Sequence, residues 1–164
     1  MPSKLGERIK QTKEFESTAH EAMLSVLVAA SELRERTERA CKEHGVGSSH
    51  YNVLRILRGA QEEGYSRGDI IERMLDPAPD VTRLIDTLSE KGLVRRERCE
   101  EDRRRTLHWI TDAGVALLDE MHDEISGVHT FFADRFTEAE LAELSRLCEK
   151  IYTTSDGMVA SPSG

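Results

Sequence analysis

Six arginines fall within eleven residues: Arg95, Arg96, Arg98, Arg103, Arg104 and Arg105. A guanidinium carried at the tip of a turn suits the DNA minor groove, which is narrow and electronegative over A·T runs. Arg104 is the best placed for that task, and Asp102, two residues earlier, can pair with it and fix its approach. Arg103 and Arg105 suit phosphate contacts, or partners for Glu100 and Glu101. Arg95, Arg96 and Arg98 alternate along an extended run, so some face solvent and some DNA; Arg95 and Arg98 are counted with the DNA-binding set. Taken alone, such a charge run reads equally well as a solvated turn.

A second group of candidates lies upstream. Ser66 and Arg67 open a short helix, where a free N–H and a cation suit a phosphate. Thr82 and Arg83 sit near the start of a following helix, at the edge of its apolar stripe. Arg83 can bridge the O6/N7 edge of guanine or hold a phosphate. Asp80 can accept from cytosine N4 or cap the helix. Asp86, one turn further, is better suited to an arginine of its own chain.

The elements that must position these groups follow from periodicity. Val81, Leu84, Ile85 and Leu88 recur at helical spacing, and the pattern stops at Gly92. Two extended arms, 93–99 and 105–110, flank a charged tip at 100–104, and a new helix begins at Thr111. Upstream, a helix capped by Ser48 or Ser49 carries Val53, Leu54, Ile56 and Leu57, and a brief helix over 67–75 puts Ile70, Ile71 and Met74 inward. Two helices across a tight break, then a hairpin, make a helix-turn-helix with a wing. A long helix over 15–44 precedes this lobe. One helix over 111–133, then another opened by the capping box Thr137-x-x-Glu140, follows it. Residues 1–13 read as a frayed tail or a short arm, and the Ser/Gly/Pro-rich end after Thr153 as loose.

Composition narrows the class. The 164 residues fit one domain that is mainly α with a small β-hairpin wing. The net charge of −8 argues at first against nucleic acid, but the distribution reverses this. Residues 81–108 are net +2, whereas 1–80 are net −2 and 109–164 net −8. Affinity for DNA depends on cations that face phosphates, not on whole-chain charge. No apolar run approaches a membrane span and the N-terminus lacks a signal-peptide core, which points to the cytoplasm. Cys41, Cys99 and Cys148 form no CxxC pair; Cys41 and Cys148 read as small core hydrophobes, and Cys99 as an open question of redox sensing. His44 and His50 with Glu43 are the only plausible metal ligands, and no cofactor or metal is expected. There is no phosphate loop, His-Glu-x-x-His or nucleophile elbow, so an enzyme is not expected.

The stretch VTRLIDTLSEKGLVRRERCEEDRRRTLHWITDAGVALL, with Tyr51-Asn52-Val53-Leu54-Arg55-Ile56-Leu57 upstream, resembles the MarR family of winged-helix regulators over about residues 15–153. The matching motifs are Val81–Leu84, Lys91–Val94, Asp102–Arg104 and Thr111–Gly114. The resemblance implies a single domain in which residues 15–47 and 112–153 form a dimerisation base and 48–111 the DNA-binding lobe. It implies a homodimer on a palindromic operator of double-stranded DNA, usually a repressor, and often a small-molecule effector held between base and lobe. His50, Tyr51, Arg55 and Trp109 are the candidates for lining that cleft, although Trp109 most simply anchors the wing. Asp80 stands where many members carry Ser or Thr, so base readout can differ. The competing reading is a winged-helix dimer that binds ligands or proteins without an operator.

Overall fold

The computed structural model describes residues 3–60, 62–77, 80–99 and 105–153. In order they form α1 (Lys4–Arg8), α2 (Thr18–Lys42), α3 (Ser48–Gly59), β1 (Tyr65–Ser66), α4 (Arg67–Arg73), α5 (Val81–Glu90), β2 (Val94–Arg98), β3 (Thr106–Ile110), α6 (Asp112–Glu120), α7 (His122–Ala133) and α8 (Glu138–Tyr152). The strands make an antiparallel sheet ordered β1-β3-β2. The hairpin expected from sequence is therefore the larger part of a three-stranded sheet, because Tyr65 and Ser66 pair with His108 and Leu107. The chain divides into two compact units, residues 1–125 and 126–164.

In the first unit, α3 packs against α2, α4, α5, α6 and β3. Its Val53, Leu54 and Leu57 join Ile70 of α4, Val81, Ile85 and Leu88 of α5, Val94 of β2 and Leu118 of α6 in one buried cluster. Ile71, expected inward with Ile70, is exposed, since the seven-residue α4 has room for one fully buried position. The helix α4 also ends at Arg73, two residues before the expected limit, as Met74 turns to extended backbone.

Three other boundaries differ from expectation. The long helix runs from Thr18 to Lys42 under a Ser17 cap, and residues 4–8 form α1 under a Ser3 cap, where a tail or arm was expected. No serine caps α3. Its N-cap is Gly47, and the carboxylate of Glu38 on α2 accepts the Ser48 N–H at 2.7 Å. The single helix expected over 111–133 is broken at Met121, whose backbone (φ −77°, ψ −5°) divides α6 from α7.

The junction that launches the wing is tightly bonded. Gly92 adopts φ +71°, a left-handed conformation open to glycine, and lets the Leu93 N–H reach back to the Leu88 carbonyl at 2.9 Å. Thr111 closes the other end: its hydroxyl donates to the Gly92 carbonyl (2.7 Å) and accepts from the Gly114 N–H (3.2 Å). One residue thus caps α6 and ties it to the foot of β2.

Within the second unit, α8 is opened by the reciprocal bonds of Thr137 and Glu140. None of its residues is buried, and its apolar Leu147, Ile151 and Tyr152 stand exposed. In the first unit, α2 likewise buries only Ala40 and Cys41 along its 25 residues, leaving Met23, Val26 and Leu27 open.

Candidate nucleic-acid interface

The first turn of α5 is built by Asp80. Its carboxylate accepts the Arg83 N–H at 2.9 Å, so this residue caps the helix. Thr82 and Arg83 then stand exposed at the helix entrance, while Val81, Ile85 and Leu88 turn into the core. Beside them, Ser66 and Asp69 form a reciprocal capping box at the start of α4. The Ser66 hydroxyl and N–H both engage Asp69, whose carboxyl those bonds hold below its ordinary range, with Arg73 and Arg105 adding to the effect. Ser66, expected as a phosphate donor, therefore serves first as a cap.

Alternation along β2 decides the arginines. Val94 is buried, so Arg96 and Arg98 share its face and Arg95 takes the opposite one. Arg96 crosses to Asp86 on α5 at 2.9 Å. Arg95 lies across from Trp109 in the ladder, with its guanidinium 4.2 Å from the indole centroid and a bond to Glu97. Arg95, expected with the DNA-binding set, therefore turns away from the groove, and Arg96 turns toward α5. The parity of the strand relative to Val94 was the signal that could have found it.

A groove of about 460 Å³ runs between the entrance of α4, the exposed face of α5 and the hairpin. Arg67, Thr82, Asp86, Arg96, Arg105 and His108 line it. His108 is buried beneath the wing, with its Nδ1 3.1 Å from the Tyr65 carbonyl. Burial pushes its pKa below the ordinary histidine value, and Arg96 adds to this against the Tyr65 bond and Asp86. Arg98, opposite Thr106, and Arg105, whose carbonyl accepts the Cys99 N–H, are exposed near the hairpin's outer end. The structure brings Arg67, Thr82 and Arg105 to one groove and leaves Arg83 on the neighbouring flank of α5. Asp102, Arg103 and Arg104 lie outside the described residues.

A second groove, about 570 Å³, opens between α2, α3 and the segment after α4. Tyr51 and Arg55 line it, 5.9 Å apart from guanidinium to ring centroid. Leu33, Ile56 and Met74 give it apolar walls, and an Arg34–Asp76 pair at 3.4 Å bridges α2 to the segment that leads into α5. His50 and Trp109, expected with them, line neither groove wall here. Burial, then Lys91, holds His50 below the ordinary histidine value. Trp109 donates its indole N–H to the Glu62 carbonyl (2.9 Å), and a Cβ at Gly64 would come within 2.4 Å of its ring, so it fastens the wing to the turn after α3.

Cys41 and His44 are structural in character. Cys41 is fully buried, and burial, with Glu38, pushes its thiol up to about 11, which makes it inert. His44 faces Glu124 at 3.3 Å instead of His50. Among the described residues no cluster of three or more His, Cys, Asp or Glu could hold a metal, and no helix is long and apolar enough to cross a membrane.

Comparison with known proteins agrees with this geometry. A sequence model of the MarR family matches residues 44–105, the lobe with its first wing strand. The HTH-type transcriptional regulator YpoP of Bacillus subtilis is 33% identical over 61% of this chain and 72% of its own. The chain spans only 64% and 60% of two other curated relatives, a regulatory protein named for the hcr operon of Thauera aromatica (27% identical, 66% of this chain) and YkoM of B. subtilis (31%, 57% of this chain). The crystal structure of a MarR transcription factor from Planctomyces limnophilus is 34% identical, covers 83% of this chain and 98% of its own, and superposes with a TM-score of 0.65. The S. aureus MepR–DNA complex shares the fold at 20% identity and a TM-score of 0.69, covering 84% and 97% of the two chains.

Proposed function

The chain belongs to the MarR family of DNA-binding transcriptional regulators, and on that footing we propose that it acts as a homodimeric repressor, each lobe reading one half of a palindromic operator. The observation that carries this reading is the first groove. There the exposed first turn of α5 meets Arg67 of α4 together with Arg96 and Arg105 of the net-basic stretch 81–108. Helix entrances of this kind present base-reading side chains to the major groove while flanking cations hold phosphates. Arg104 is assigned to the minor groove beside them. MepR, which shares the fold, has been solved on DNA. Dimerisation is the natural use of the open apolar stripes on α2 and α8. Such a role places the protein with the chromosome in the cytoplasm.

Asp80 weakens the competing reading of a lobe without an operator. An acid in the reading helix argued against DNA, but its carboxylate is turned onto the helix's own N–H. The second groove supports release by a small amphipathic effector, received by Tyr51 and Arg55 between apolar walls.

The test is binding of the protein to DNA upstream of its own gene, titrated across salt against a scrambled duplex. Binding should resist the scrambled competitor, and log K should fall linearly with log salt, with a slope of about −0.9 for each phosphate neutralised. Arg104→Glu should abolish competitor-resistant binding and leave melting unchanged. A protein that selects no sequence from random duplexes either would show that the lobe does not read an operator.

A further inference from the structure

We propose that Arg83 is the specificity-determining residue of the reading helix, and that it requires a guanine at one fixed position of each operator half-site. The inference rests on the operator reading and goes beyond it, since it names the base.

Three observations carry it. Arg83 is exposed at the third position of α5, where its own N–H is bound to Asp80 at 2.9 Å, so the backbone from which it projects is fixed. The two acids that could neutralise it are both engaged. Asp80 is turned onto the helix N-terminus, and Asp86, one turn on, holds Arg96 at 2.9 Å. Among the described residues no carboxylate lies within ion-pair reach of the Arg83 guanidinium, as of Arg67 and Arg98, whereas Arg58, Arg73, Arg95 and Arg96 of the same lobe are each tied to one. Finally, Arg83 stands about 100° round the helix from Thr82 and does not line the groove shared with the wing. Its direction differs from that of Arg67, Arg96 and Arg105, which face the hairpin side.

A free, planar guanidinium at the entrance of a helix docked in the major groove matches one base edge best. Guanine presents two acceptors, O6 and N7, to the two parallel N–H donors of the fork; adenine opposes one of them with a donor, and cytosine presents a donor alone. The same occupancy removes the opposite preference. A helix whose Asp80 and Asp86 were free would accept from cytosine N4, but both carboxylates are spent within the chain. Thr82 adds a methyl and a hydroxyl of low selectivity beside it.

The experiment is selection from random duplexes with the parent protein and with Arg83→Ala and Arg83→Lys, together with affinity for the parent's selected site across salt. The parent should enrich a two-fold symmetric motif containing a guanine in each half. Arg83→Ala should lose that guanine alone and bind the parent's site roughly 10- to 100-fold more weakly, without a change in melting temperature. Arg83→Lys, a point charge without the fork, should keep part of the guanine preference. An unchanged motif in Arg83→Ala, with a uniform affinity loss and a shallower salt slope, would make Arg83 a phosphate contact and overturn the assignment while leaving the operator reading intact. A parent that enriches no motif overturns the operator reading itself.

Discussion

Glycine at two helical positions has opposite consequences here. A Cβ at Gly114 would meet the Leu93 carbonyl oxygen at 2.5 Å and Ile110 Cγ1 at 2.6 Å, so the foot of the wing closes on α6 only because that atom is missing. Gly59, at the end of α3, has nothing within 4 Å of the same atom. Gly114→Ala should therefore destabilise by about 1–3 kcal/mol, as overpacking against backbone does. Gly59→Ala should stabilise by about 0.5–1 kcal/mol, since only chain entropy changes. Chemical denaturation of the two variants checks the pair. Protonation gives a second expectation. His50 and His108 both titrate below their ordinary value of 6.5 in the fold, so the unfolded chain binds protons that the native one refuses. Their stabilising contribution is complete above pH 6.5 and is lost as pH falls from there through the lower native values. The urea midpoint should drop over this window, and less in His108→Gln. At this level the sequence was half legible. The Thr111 and Thr137 caps are local, three residues from their partners, and so can be read from spacing. Which of Arg95 and Arg96 turns toward α5 follows from alternation with the apolar Val94, a signal present in the spacing but not used.

Helices here borrow from one another. The N-terminus of α3 is satisfied by Glu38, ten residues back on α2, with Lys42 beside it at 3.4 Å. The Ser48 bonds hold the Glu38 carboxyl below its ordinary range. Glu38→Ala should cost about 1 kcal/mol, the usual worth of an N-cap. Its effect should vanish as pH falls well below 4.5, because the depressed carboxylate stabilises only while ionised. Comparing denaturation of parent and variant at neutral and acid pH decides this. No local rule would have found this cap: Ser48 and Ser49 are the residues that cap helices elsewhere, and they lose to a carboxylate delivered across a turn. The three-stranded sheet was missed for a similar reason, since a two-residue strand has no periodicity and exists only through its pairing with β3.

At the level of the whole chain, the proposed dimer rests on the open stripes. Met23, Val26 and Leu27 on α2, and Leu147, Ile151 and Tyr152 on α8, expose apolar surface that the described chain does not cover. Leu27→Glu with Ile151→Glu should shift the mass in solution from a dimer of the 18.5 kDa chain to the single chain. Affinity for a two-fold operator should fall at least tenfold while the lobe's melting persists. Sedimentation and DNA binding test both together. The helical spacing of these apolar residues was visible in the sequence. An outside partner was expected from the resemblance, but which residues stay uncovered was not legible, because a periodic stripe looks the same whether its partner lies in the same chain or in another.

Trp109 is the only tryptophan in the chain. Its indole is bound to the Glu62 carbonyl, backed by Gly64 and faced by the Arg95 guanidinium, all at the root of the hairpin. The emission excited selectively at indole therefore comes from the wing strand and from nowhere else. Mixing the unlabelled protein with DNA in a stopped-flow fluorimeter would follow any rearrangement at the root of the wing in time.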